Sequence, residues 1–141
     1  MKEYTTTATI NADPKTVWSV LTDSARYSEW NPEIVGIDGQ MHTGARVKVQ
    51  VRLGTGAVRN LAQRILTFDP PTKLVWQGGL PLGLFVGRRT FTLIPVPDGT
   101  EFRMHIRMSG PLSAPIIKSM GDRQPEIDKF SAALKVRAES L

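Results

Sequence analysis

The sequence predicts an α+β fold: a curved antiparallel sheet of about seven strands wrapped around a long C-terminal helix, with two short helices after the first strand. Three observations predict it. From Ile34 to Gly110 apolar residues alternate with polar ones, the period of half-buried strands. From Ser113 onward the spacing changes to that of a helix, with Ile116, Met120, Ile127, Phe130, Leu134 and Leu141 opposite Lys118, Asp122, Lys129 and Arg137. Between the first strand and the alternating region stands NADPKTVWSVLTD, the pattern of a capped helix start.

The elements follow in chain order. Residues 2–10, KEYTTTATI, are rich in Thr with Tyr and Ile and favour a strand. Asp13 is placed to cap the next helix and Pro14 to occupy its first position, with Val17, Trp18 and Leu21 on one apolar stripe. SARYSEWNPEI reads as a second short helix ended by Pro32. In ARVKVQVRL, Val47, Val49, Val51 and Leu53 share one face, and Arg46, Lys48, Gln50 and Arg52 share the other. RNLAQRILTF is a strand of ambiguous facing, because Leu61 and Ile65 disagree in parity with Leu66 and Phe68. KLVWQ and GLFVGRRTFTLIP follow; a Pro97–Gly99 turn leads into EFRMHIRM, with Phe102, Met104, Ile106 and Met108 on one face. Pro125, just after Gly121, is expected to kink or interrupt the final helix.

Composition narrows the chemistry. The chain has 141 residues, 40% of them hydrophobic and 22% charged, which suits one globular domain. MKEYTTTATI contains no apolar signal-peptide core and no stretch is long enough for a membrane span, so a cytoplasmic protein is expected. With no cysteine, disulfides, thiolate catalysis and Cys-ligated zinc are excluded. His42 and His105 lack any ligand spacing, and neither a metal nor a cofactor is expected. No G-x-S-x-G elbow, H-E-x-x-H, P-loop or inward carboxylate pair offers a catalytic constellation. Between Gln40 and Arg107 lie ten Lys/Arg residues but only three acids, Asp69, Asp98 and Glu101. Such a cluster suggests a basic surface.

The segments IxADPKTVWSVLTDSARYSEWNP, GRRTFTLIP, VPDGTEFRMHIRMSGPLSAPI and FSAALKVRAES together resemble the polyketide cyclase/dehydrase-type branch of the START-like superfamily (SRPBCC). The resemblance covers residues 1–141, read as a single START-like ligand-binding domain, and implies the helix-grip fold. It further implies a mostly apolar cavity under the C-terminal helix for a small hydrophobic or aromatic molecule or a lipid. Many relatives in this branch carry a polar inward residue such as His where Arg89 stands and Glu near Ile106; neither is present here, so the resemblance implies no acid/base role for these positions.

Within that frame, strand parity sets Arg89 with Phe85, Gly87, Phe91 and Leu93 on the inward face and sends Arg88 outward. A buried guanidinium cannot be left unpaired, so Arg89 requires an internal carboxylate, several carbonyls or an anionic ligand group. The expected ligand-binding set is Arg89, Trp76, Phe91, Phe102, Met104, Ile106, Met108 and Met120, with Leu82 and Phe85 from an uncharged glycine-rich hairpin acting as a lid or as a membrane or partner contact. Arg46, Lys48, Arg52, Arg88, Arg103 and Arg107 are expected on the outer sheet face, where a weak contact with anionic lipid or RNA is the secondary expectation and DNA binding is not expected.

Three functions fit this pattern. The first is a carrier or sensor of a small hydrophobic ligand with an acidic or phenolic group. A polyketide cyclase, aromatase or dehydratase is the alternative, and a protein- or RNA-interaction module is the third.

Overall fold

The computed structural model describes residues Met1–Leu141. Seven antiparallel strands form one sheet: β1 (Lys2–Ile10), β2 (Ile34–Asp38), β3 (Arg46–Arg52), β4 (Val58–Asp69), β5 (Lys73–Leu80), β6 (Phe85–Val96) and β7 (Gly99–Ser109). Their spatial order is β1-β7-β6-β5-β4-β3-β2, so β1 returns to pair with the last strand while the other six form an uninterrupted meander. Helices are α1 (Pro14–Thr22), α2 (Ser113–Met120) and α3 (Gln124–Glu139), with a 3-10 helix at Ser24–Glu29. The expected α+β class, strand number and helix placement are those found.

Local chemistry accounts for the boundaries. The Asp13 side chain accepts the Thr16 N–H at 2.8 Å, and Pro14 opens α1. That hydrogen bond holds the Asp13 carboxyl below its ordinary value. The expected interruption of the C-terminal helix falls between α2 and α3, where Gly121 takes φ 70° and Pro125 stands in the first turn of α3. At the tip of the β5–β6 hairpin, Leu82 adopts φ 61°, a left-handed conformation that branched or bulky residues rarely occupy.

The core lies between the concave face of the sheet and α3. Phe130 is its centre, fully buried, with ring centroids 5.7 Å from Phe91, 5.8 Å from Trp30 and 6.1 Å from Phe102. These separations suit edge-on and offset aromatic packing. The ambiguous strand β4 carries a register shift between Ile65 and Thr67. Ile65 faces Trp76 before the shift and Phe68 faces Leu74 after it, so these two meet the interior despite their opposite parity, while Leu61 and Leu66 stay exposed. A β-bulge is the physical source of the disagreement in the sequence.

Candidate functional site

Parity sends Arg89 inward, between Trp76 on β5 and Ile106 on β7, and Arg88 outward, between Gln77 and Arg107. The charge of Arg89 is met by Glu33. The two form a bidentate pair, Nη1–Oε1 at 2.7 Å and Nη2–Oε2 at 2.9 Å, and the Glu33 side chain has no exposure to solvent. Arg123, in the break between α2 and α3, adds a third hydrogen bond, Nη2 to Glu33 Oε2 at 3.2 Å. Its Nη1 donates to the Arg52 carbonyl at 3.3 Å, and Glu126 lies 4.0 Å away on the solvent side. A buried Arg–Glu–Arg cluster therefore joins β6 to the loop before β2 and to the break between α2 and α3.

Each member is held by its own element. The Asn31 side-chain oxygen accepts the N–H groups of Glu33 at 2.9 Å and Ile34 at 2.8 Å, closing an Asx turn at the start of β2. Pro32 lies inside that turn, and the Glu33 carbonyl is tied to the Arg52 N–H at 2.8 Å. The Arg123 backbone N–H donates to the Tyr4 hydroxyl at 3.2 Å, which fixes the helix break to β1. The Arg89 guanidinium lies 5.9 Å from the Phe130 ring and 6.0 Å from the Trp76 ring, within cation–π range. Burial pushes the nearby Tyr27 phenol far above its usual range, despite the opposing charge of Arg89.

Asn31→Ala removes an acceptor from two backbone N–H groups in a buried turn. The expected cost is about 1–3 kcal/mol. Urea unfolding measures it, and an unchanged midpoint would show that the turn closes without the side chain.

Beside the cluster lies a cavity of about 430 Å³ under α2 and the start of α3. Of the residues expected to bind ligand, Trp76, Phe85, Arg89, Ile106, Met108 and Met120 line it. Phe91, Phe102 and Met104 do not. They face inward, as their parity requires, but Phe130 and its neighbours fill the groove there and bury all three completely. Leu82 is also elsewhere, 98% exposed on the hairpin tip, so it closes nothing in this conformation. Glu33 and Arg123 border the cavity and were not among the expected site residues. The signals available were an acid in the otherwise apolar run Pro32–Val35 and the prior requirement that Arg89 find a partner.

The cavity lies against the end of the sheet where β4 and β5 cease to pair. Their pairing ends at Arg64 opposite Gln77, although β4 extends back to Val58 and β5 on to Leu80. Leu61 and Gln63 of β4 and Gly78 and Leu80 of β5 line it there. A larger polar cleft of about 590 Å³ lies on the other side of Glu33, with Asn31, Arg52, Glu126 and Lys129 in its walls. Its polarity makes it a poor host for an apolar molecule.

The sequence model of the family "Polyketide cyclase / dehydrase and lipid transport" matches residues 1–139, and the chain belongs to that family. No curated protein matches the chain. Protein MLL2253 of Mesorhizobium loti is similar in structure at a TM-score of 0.72 with 22% identity, over 96% of this chain and 95% of that one. A START superfamily protein of Mycobacterium smegmatis gives 0.74 with 18% identity, over 98% and 97%. The di-domain ARO/CYC BexL of the BE-7585A biosynthetic pathway gives 0.68 with 16% identity, over 99% of this chain but 49% of BexL. At these identities the likeness establishes the START-like, helix-grip fold alone.

Proposed function

We propose that this chain binds a small hydrophobic or aromatic molecule in the cavity beside Arg89, as a cytoplasmic carrier or sensor within one START-like domain. The observation that carries this reading is the cavity itself. Its volume, about 430 Å³, lies in the range of small-molecule sites, and its walls are mostly apolar. The charges on its walls favour a ligand with an acidic or phenolic group, because Arg59, Arg89 and Arg123 line it with a single carboxylate, Glu33. Methionines at 108 and 120 give the apolar walls adaptable shape. The same geometry weighs against ring closure or dehydration. Glu33 is the only carboxylate on these walls, and its oxygens accept three hydrogen bonds from arginines, so it is not a free base.

Native mass spectrometry of protein purified from its own host is expected to show a retained small molecule. Fatty acids, phenolics and polyketides added to stripped protein are expected to include one that raises the melting temperature. A ligand at a hundredfold excess over its Kd stabilises by about 2.7 kcal/mol. No retained molecule and no shift across that panel would sink the reading.

A further inference from the structure

The outer face of the sheet carries an ordered row of arginines. Following the strand register, Arg46 stands opposite Arg64, Arg64 opposite Gln77, Gln77 opposite Arg88, and Arg88 opposite Arg107. All four arginines are exposed and none forms an ion pair; the row ends at Glu3 on β1, which stands opposite Arg107 but bonds to His105. Like charges directly opposite one another on a sheet destabilise it, and here two such pairs occur in one row. An anionic surface would relieve the repulsion.

The position of the row narrows what that surface is. Beyond it, the β5–β6 hairpin presents Leu80, Leu82 and Leu84, and Leu112 is tied to this tip through its N–H to the Leu84 carbonyl at 2.8 Å. Their exposures are 44%, 98%, 38% and 42%. Leu82 is held outward in a left-handed backbone conformation, so strain is retained at the most exposed of the large apolar residues. Leu80 lies three residues beyond Gln77 and Leu84 four residues before Arg88, which sets the row roughly 10–13 Å behind the leucines at about 3.3 Å per residue. Because the row runs across the strands, it lies parallel to a plane that the tip enters along the strand direction.

We propose that this end of the molecule docks on an anionic lipid bilayer. The leucines of the hairpin tip enter the acyl boundary, and the arginine row meets the headgroup phosphates at the depth expected of an interfacial anchor. RNA satisfies the arginines but gives the leucines no partner, and no aromatic side chain on this row offers a base something to stack on. The cavity's β4–β5 end, which includes Leu80, is at the same end of the molecule as the tip. Passage of cargo between bilayer and cavity rests on the ligand-binding reading above; docking does not, and is measured on unloaded protein.

Flotation with phosphatidylcholine vesicles, with and without phosphatidylglycerol, tests the proposal. Binding is expected only to the anionic vesicles and is expected to weaken with salt. Arg88→Gln with Arg107→Gln should weaken it by about thirtyfold, roughly fivefold for each arginine near the surface. Leu82→Asp should also reduce it while leaving the melting temperature unchanged, since that side chain touches little. No binding, equal binding to neutral vesicles, or binding indifferent to Leu82→Asp would overturn the proposal. Salt-sensitive capture of polyuridylate that survives Leu82→Asp would assign the arginines to nucleic acid instead.

Discussion

Glu33→Gln is expected to lower the melting temperature by on the order of 10 °C, although the substitution preserves shape and volume. Glu33 accepts from Arg89 twice and from Arg123 once, with no solvent to take its place. Glutamine offers one acceptor oxygen and turns an NH₂ group toward a guanidinium that is itself only a donor. Two cations then face each other in the interior, and breaking a buried pair in this way costs about 3–5 kcal/mol. Replacing the whole cluster is a different matter. Arg89→Met, Glu33→Leu and Arg123→Leu together remove every buried charge, and such replacements are often neutral or stabilising by about 1–4 kcal/mol. The link between Arg123 and Tyr4 survives, because it runs through the backbone N–H. Calorimetry on the single and triple variants separates the two cases. A Glu33→Gln protein that melts with the wild type would show that the arginines do not depend on the carboxylate.

This cluster also shows what local sequence patterns can convey. Alternation in β3, β6 and β7, the Asp13–Pro14 helix start and the break at Gly121–Pro125 are local, and each maps directly onto an element. Parity even separated Arg88 from Arg89. The partners of Arg89 are not local: Glu33 is 56 residues away, and Arg123 stands 90 residues from Glu33. Both lie in loops, where no period applies. The same limit explains Phe91, Phe102 and Met104. Alternation shows that a side chain points into the sheet's concavity, but whether it meets a cavity or another side chain depends on where α3 places Phe130. The arginine row is a third instance. Its members are dispersed from residue 46 to residue 107 and become a row only through strand register.

Gly87→Leu is expected to weaken binding of an apolar anion at least tenfold without destabilising the protein. Gly87 lies in β6 opposite Gly78 and Met108, and it lines the cavity two residues from Arg89. A Cβ built there meets nothing closer than Phe85 Cε2 at 3.8 Å, which is ordinary contact. The new side chain therefore enters the cavity rather than displacing backbone. Glycine inside a strand costs roughly 0.5–1 kcal/mol relative to alanine, so the variant should melt at or slightly above the wild-type temperature. Gly79 provides the contrast. It takes φ 147°, and its Cβ would collide with the Phe85 carbonyl oxygen, so Gly79→Leu should damage the hairpin and lose binding through misfolding. The probe is anilinonaphthalene sulfonate, whose aromatic body and single negative charge match the apolar walls and their surplus of arginine. Fluorescence titration read beside a melting curve distinguishes a plugged cavity from a damaged fold. Full-strength probe binding by a stably folded Gly87→Leu protein would place the ligand site outside this cavity.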